Sequence, residues 1–116
     1  MNYQNKSENY YKNKRPEMQD LFPLQAKILL EVGCGEGELA FQLKEKYNIE
    51  SWGVELMEQK AQEASSKLDN VIIGRIEDCL DKLPDNYFDV IYLNDVLEHL
   101  FDPKEVLINL RSKLSK

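Results

Sequence analysis

The sequence predicts an α/β fold in which a parallel sheet is covered by helices on both faces. Short apolar runs alternate along the chain with segments whose apolar residues recur at helical spacing. Strands that alternate with helices of about ten to fifteen residues imply right-handed crossovers, and therefore a parallel sheet. The length of 116 residues and the hydrophobic content of 42% fit one domain with a core of its own.

Four strands are expected, each a short apolar run bounded by polar residues or glycine. They are residues 28–32, 51–55, 71–73 and 88–93. The helix that follows the first strand is expected over residues 36–47, and the helix that follows the second strand carries an apolar stripe. The members of that stripe are Met57, Ala61, Ala64 and Leu68. Residues 75–87 read as a polar connection between the third and fourth strands.

The last predicted helix has a clear start signal. Asp102 can cap it, Pro103 suits its first position and Glu105 completes a capping box. The residues expected to face inward are Val106, Leu107 and Leu110.

Charge and cysteine content exclude several classes of protein. The net charge of −6 argues against a nucleic-acid partner, because phosphate binding relies on clustered Lys and Arg. No apolar stretch approaches the roughly 18 residues needed to cross a bilayer, so no membrane partner is expected. Cys34 and Cys79 match no zinc or redox spacing, and two isolated thiols predict a cytoplasmic location.

A glycine-rich turn follows the first predicted strand and runs directly into a helix. Gly33, Gly35 and Gly37 alternate there, which predicts a backbone that a ligand can approach and amide donors that can meet it. A tight turn without a ligand is the structural alternative. The dinucleotide fingerprint would need glycine at position 38, where the chain has Glu38.

Acidic side chains near this turn favour a zwitterionic nucleoside over a diphosphate. Glu36 and Glu38 would repel a diphosphate, whereas Glu31 could pair with an amine. Glu55, at the end of the second strand, suits the two hydroxyls of a ribose, although a plain surface glutamate would also fit there. Residues 74–78, after the third strand, could offer an acceptor to an adenine amine.

Segments 28–40, 53–56, 74–78 and 88–100 resemble, in order and spacing, the class I S-adenosylmethionine-dependent methyltransferases. The resemblance spans residues 10–114 and implies S-adenosylmethionine as cofactor. It implies that Glu31 approaches the methionyl amine, that Glu55 holds the ribose, and that Glu77 with the amide of Ile76 meets the adenine. Arg75 departs from the acidic residue that many relatives carry there. The implied cofactor-binding residues are Tyr11, Glu31, Gly33, Cys34, Gly35, Gly37, Glu55, Leu56, Ile76, Glu77 and Asn94.

The loop after the fourth strand carries the catalytic candidates Asp95, Glu98 and His99. Methyl transfer is an in-line displacement that mainly needs orientation, with a general base for some acceptors. His99 packed at a helix turn is the structural alternative. The grouping is similar to a metal-binding pattern in small-RNA 2'-O-methyltransferases, but three ligands leave a divalent cation under-coordinated, so no metal is expected.

Residues 1–14 are expected to form a mobile N-terminal arm, or a lid that covers the cofactor as in several small-molecule members of the family. Residues 15–116 are expected to form the cofactor-binding domain, and a short helix with Met18, Leu21 and Phe22 on one face is expected to end at Pro23.

The resemblance implies strand order 3-2-1-4 and three further strands, so the chain is expected to be a portion of a longer methyltransferase. Its fourth strand would then be an apolar edge through which a homodimer could form. The expected acceptor is a small molecule. A nicotinamide-dependent dehydrogenase fragment and a non-catalytic α/β interaction module stay open as alternatives.

Overall fold

The fold is built on a four-stranded parallel sheet. A computed structural model of the chain describes residues 22–94 and 96–116. The strands are β1 (Ile28–Val32), β2 (Glu50–Glu55), β3 (Asn70–Ile73) and β4 (Val90–Leu93). Their order is β3-β2-β1-β4, and every neighbouring pair is parallel. The expected fold class and strand order are confirmed.

Helices cover both faces of the sheet. They are α1 (Glu38–Tyr47), α2 (Glu58–Ser65), α3 (Ile76–Cys79) and α4 (Pro103–Arg111). Because neighbouring residues of a strand point to opposite faces, Leu29 joins the core under α1 and α2, while Leu30 joins the core under α3 and α4. Short 3₁₀ turns at Leu80–Lys82 and Leu97–His99 complete the described elements.

Acidic side chains fasten the ends at which the strands begin. The Asp89 carboxylate accepts hydrogen bonds from the backbone N–H groups of Lys27 and Ile28, at 2.7 and 3.0 Å. Asp69 accepts the N–H of Ser51 at 2.8 Å and pairs with Lys44. These contacts tie the start of one strand to the start of its neighbour.

The fourth strand is shorter than the expected 88–93. Phe88 instead forms a parallel bridge with Leu114, because residues 112–115 run alongside the chain just before β4. The Ser115 hydroxyl also donates to Asp89, at 2.7 Å. The β4 edge is therefore covered at its beginning by the last residues of the chain.

Helix predictions need three corrections. Helix α1 begins at Glu38, because Gly37 takes the N-cap position with a φ of 87°, and Glu36 stays in the turn. Met57 and Leu107 are exposed: Met57 precedes α2 as its N-cap, and Leu107 lies on the outer face of α4. Helix α3 falls within the expected polar connection, since a four-residue helix is too short to show periodicity.

Several expectations fall on residues that are not described. They are the N-terminal arm with Tyr11, the short helix except for Phe22, and Asp95. Phe22 itself is buried, with its ring stacked on Tyr47 at a centroid distance of 5.0 Å. In residues 22–94 and 96–116, no helix has the length and apolar character needed to span a bilayer.

Candidate cofactor site

The glycine turn continues the β1–β2 ladder before it turns into α1. The backbone N–H groups of Gly33 and Cys34 both donate to the Val54 carbonyl, at 2.8 and 3.2 Å, and Gly37 N–H donates to the Cys34 carbonyl at 2.9 Å. Gly33, Gly35 and Gly37 all have a positive φ. Positive φ is a conformation that other residues adopt with strain, so glycine suits all three positions.

Two of these glycines are required by the fold rather than by a ligand. A Cβ at Gly33 would lie 2.6 Å from Val96 Cγ2 and 2.8 Å from the Asn94 carbonyl oxygen, because the loop after β4 crosses the turn there. A Cβ at Gly37 would lie 3.1 Å from Ala64 Cβ, against α2. At Gly33 and Gly37 the missing Cβ therefore makes room for other parts of the fold, and the backbone of Gly33 still lines the cavity.

Gly35 is the glycine that faces open space. A Cβ there would meet no atom within 4 Å. Its N–H donates to Glu55 Oε1 at 2.7 Å, so the turn and the end of β2 are joined at this point. The space next to Gly35 is where a ligand can contact the backbone of the turn.

Glu55 is a buried carboxylate held at both oxygens. Its residue exposure is 8%, and while Oε1 accepts from Gly35, Oε2 accepts the Met57 N–H at 3.0 Å. A carboxylate oxygen has two lone pairs, so each oxygen keeps one for a further donor. The carboxylate is oriented before any ligand arrives, and it can still accept two hydroxyl groups.

Glu31 lies deep in the cavity beside the loop after β4. It is 3% exposed, and its Oε2 accepts a hydrogen bond from the Asn94 side-chain amide. The site therefore places both predicted residues together. An ionised Glu31 here would attract a cationic amine, because a buried negative charge gains much from an opposite charge.

Cys34 lines the cavity but is not a nucleophile at neutral pH. Its side chain packs against β2, where a Cβ at Gly53 would lie 2.6 Å from its sulfur. Burial, followed by the negative charges of Glu31 and Glu55, raises the pKa of the Cys34 thiol well above its usual range. The thiol stays protonated and acts as an apolar part of the wall.

The far side of the cavity is formed by residues that follow β2 and β3. The exposed side chains of Leu56 and Met57 lie there, opposite the buried Ile76. Apolar walls of this kind can hold a flat heterocycle. Arg75 stands at the same rim, with its Nε 3.5 Å from Glu77 Oε1.

The two described catalytic candidates, Glu98 and His99, lie next to each other at the edge of the cavity. His99 lines the cavity, but its side chain is 76% exposed, and Glu98 lies outside the lining with an oxygen 4.0 Å from His99 Nε2. Asp95 is not described. Among the described residues, no three His, Cys, Asp or Glu side chains are grouped as metal ligands.

The cavity, as it is lined by the described residues, has a volume of about 480 Å³. Five of the described lining residues are glutamates and two are basic, which makes the cavity acidic. The sequence did not indicate several of the residues that line the cavity. They are Glu38, Leu39, Met57, Lys60, Val96 and Leu100. Met57, the N-cap of α2, and Lys60, in the first turn of α2, follow Glu55 closely in the sequence, and that closeness was the available signal.

The fold and the cavity together define a class: a Rossmann-like α/β domain with a glycine-rich turn after its first strand and a cavity at the carboxyl ends of its strands. Residues 30–116 match the family model described as a methyltransferase domain, and the chain belongs to that family.

Relatives agree with this assignment. Phosphoethanolamine N-methyltransferase 3 of Arabidopsis thaliana is 37% identical over 90 residues, which cover 74% of this chain and 18% of that protein. An uncharacterised methyltransferase of Schizosaccharomyces pombe is 34% identical over 96 residues, covering 72% of this chain and 34% of that protein. The solved structure of a SAM-dependent methyltransferase from Archaeoglobus fulgidus is 29% identical, with a TM-score of 0.76, and covers 94% of this chain and 49% of that one.

The chain thus spans about half of the solved relative and less than a fifth of the plant relative. The comparisons confirm the family, and the solved relative from Archaeoglobus fulgidus supports S-adenosylmethionine as its cofactor. They decide against a nicotinamide-dependent dehydrogenase fragment.

Proposed function

We propose that the chain forms the cofactor-binding part of a methyltransferase that transfers the methyl group of S-adenosylmethionine to a small-molecule acceptor. One observation carries the proposal. At the carboxyl ends of β1 and β2, Gly35 leaves open space directly beside the oriented carboxylate of Glu55. Ligands of open α/β sheets bind in this position.

The described residues fit the cofactor. A cavity of about 480 Å³ lies within the usual range for small-molecule sites. Its acidic lining suits a ligand that carries a sulfonium and an amine, because both are cationic. When bound, the cofactor supplies an electrophilic methyl group on that sulfonium.

Each part of the site has a separate role in binding. Glu31, oriented by Asn94, receives the amine of the methionyl group, and Glu55 receives the ribose hydroxyls. Leu56 and the backbone of Ile76 border the base. The remaining turn residues, Gly33, Cys34 and Gly37, shape the backbone against which the ligand lies.

The acceptor side is proposed to involve the loop after β4. His99 reaches the cavity and can act as a general base for an acceptor, with Glu98 beside it to orient the imidazole. Asp95 belongs to the same loop and stays a candidate. Phosphoethanolamine, which the plant relatives are named for, is the first acceptor to test.

The deciding experiment is calorimetric titration of the chain with S-adenosylmethionine, S-adenosylhomocysteine and NAD. We expect the first two to bind and NAD to give no heat. Glu55→Gln should weaken S-adenosylhomocysteine binding about 10-fold or more, since hydrogen bonds to charged groups are worth about 1.5–3 kcal/mol. Glu58→Gln is the matched control, because Glu58 is exposed on α2 outside the cavity lining.

Two results would contradict the proposal. The first is the absence of binding by the folded wild-type chain, which would favour a non-catalytic interaction module. The second is equal affinity of the wild type and Glu55→Gln, which would show that Glu55 does not hold the ribose.

We extend the proposal to residues 1–14, as a lid over the bound cofactor in which Tyr11 contacts the ligand. Closing an arm over a site excludes water from the reacting atoms. Deleting these residues should weaken S-adenosylhomocysteine binding, and equal affinity before and after deletion would reject the lid.

A cytoplasmic location is also proposed, supported by the buried free thiols of Cys34 and Cys79, and imaging of a tagged chain in cells tests it.

A homodimer through β4 is the remaining proposal. Residues 112–115 cover the strand edge at Phe88, and Val90 lies further along the same edge. An open edge is a template for another strand. Sedimentation over a range of concentrations should show dimers, and a monomer at every concentration would reject the idea.

A further inference from the structure

The loop after β4 forms one lip of the cofactor cavity, and its first half is held by packing. Val96 lies directly over Gly33, and Leu100 packs against the core under α3 and α4. Between them the 3₁₀ turn Leu97–His99 is closed by the His99 N–H, which donates to the Val96 carbonyl at 2.9 Å. His99 and Leu100 line the cavity.

The end of this lip is held differently. The side chain of Phe101 is almost entirely in solvent, with an exposure of 93%, so apolar packing does not fix its position. Its backbone N–H donates to Glu77 Oε2 at 3.2 Å. Glu77 belongs to α3, on the opposite side of the cavity mouth, and the bond therefore joins the lips that follow β3 and β4.

The charge of Glu77 supports this contact. The Phe101 N–H, opposed by slight burial, lowers the pKa of the Glu77 carboxyl, and Arg75 lowers it further. The group is ionised at neutral pH and its bond to Phe101 is charge-assisted, which makes it stronger than a bond between neutral groups. Both carboxylate oxygens thus face groups of the cavity rim, Phe101 and Arg75.

We propose that Glu77 is a positioning residue, which holds residues 97–101 across the mouth of the cofactor cavity through the Phe101 backbone amide. The role differs from the adenine contact that the family resemblance implies for Glu77. It sets where His99 and Leu100 stand relative to a bound cofactor. The importance of this role for binding rests on the proposed function, but the contact itself belongs to the chain without ligand.

Hydrogen exchange of the ligand-free chain tests the contact. In Glu77→Ala the Phe101 amide should exchange about 10-fold faster, because its acceptor is lost. Glu77→Gln keeps a carbonyl acceptor and should restore most of the protection. Asp78→Asn is the matched control: it changes the next carboxylate in α3, which is exposed and lies outside the cavity lining, and should leave the Phe101 amide unchanged.

The effect on the cofactor is measured separately. S-adenosylhomocysteine affinity should fall several-fold in Glu77→Ala and stay near the wild-type value in Glu77→Gln. Unchanged exchange at Phe101 in Glu77→Ala and Glu77→Gln would overturn the proposal. If both variants then also lost affinity equally, the result would indicate that Glu77 contacts the ligand directly. A wild-type chain that fails to bind S-adenosylhomocysteine would contradict the proposed function. The exchange measurement would still show whether Glu77 holds the Phe101 amide.

Discussion

At the end of the sheet where the strands begin, the carboxylates of Glu50, Asp69 and Asp89 are engaged by other parts of the fold. Glu50 Oε2 accepts both the Trp52 indole N–H and the Tyr87 hydroxyl, each at 2.7 Å. Asp69 and Asp89 hold the starts of neighbouring strands. At the end where the strands finish, Glu31 and Glu55 instead line a cavity.

The difference shows that residue type alone does not separate structural from functional carboxylates. Both groups are hydrogen-bonded to the chain, but Glu31 and Glu55 also line the cavity. Substitutions at the beginning of the strands should therefore change stability and leave ligand affinity unchanged. Charge-removing substitutions in the cavity should do the reverse.

The largest expected effect is an exception to this division, because a substitution at Gly33, beside the cavity, should change stability. Gly33→Ala should lower the free energy of unfolding by about 3 kcal/mol. The new Cβ would lie 2.8 Å from the Asn94 carbonyl oxygen, and alanine would also have to adopt a positive φ. Gly35→Ala should cost only about 1 kcal/mol of backbone strain, since its Cβ meets no atom within 4 Å. Urea unfolding of both variants checks the contrast, and equal losses would contradict it.

A smaller effect is expected at the beginning of the strands. Asp89→Ala removes the acceptor of three hydrogen bonds, from Lys27, Ile28 and Ser115. The free energy of unfolding should fall by about 1–2 kcal/mol, because water can replace part of these bonds at an exposed position. S-adenosylhomocysteine affinity, measured on the same sample, should not change. A weakened affinity in folded protein would show that the two ends are coupled.

The next prediction concerns affinity alone. Glu31→Gln preserves an acceptor for Asn94 but removes the negative charge that would face the ligand amine. We expect about 10-fold weaker S-adenosylmethionine binding, equivalent to about 1.4 kcal/mol, with the unfolding free energy retained. Retained affinity together with lost stability would place Glu31 with the structural carboxylates.

The smallest effect is a pH dependence of stability. Hydrogen bonds from Ser115 and from the Lys27 N–H lower the pKa of Asp89. The pKa of Asp69 is also lowered, since bonds from Ser51 and Lys44 outweigh its partial burial. A lowered folded-state pKa stabilises the fold fully above the unfolded value of about 4, and this stability is lost as pH falls through the folded value.

Unfolding measured between neutral and acidic pH should therefore show a plateau and then a decline. The double variant Asp69→Asn, Asp89→Asn should have a lower free energy of unfolding on the plateau and a less steep decline at acidic pH. An equally steep decline in the double variant would assign the acid sensitivity to other groups.

Much of the fold could be predicted because its signals are local. Alternating strands and helices and the capping residues of α4 lie within short windows of sequence. The four-residue helix α3 gave no periodic signal, and the later start of β4 reflects residues 112–115, which are distant in sequence and pair with residues 86–88 just before the strand. Strand order came from the family resemblance rather than from local patterns.

The sequence predicted which residues meet at the candidate site better than it predicted the role of each one. Glu31, Glu55 and Asn94 are indeed brought together around the glycine turn. The purpose of Gly33 was not readable, because the chain that crosses it is the distant loop after β4. The bond between Glu77 and Phe101 joins residues 24 positions apart, and only the folded chain reveals it.

The indole held by Glu50 has a practical consequence for these measurements. Trp52 is the single tryptophan of the chain, its ring packs edge-on against Tyr87 and Phe88, and it is not among the described residues that line the cavity. Its fluorescence should therefore follow loss of the fold while remaining insensitive to occupancy of the cavity. Emission spectroscopy and calorimetry on one sample would then give two independent signals.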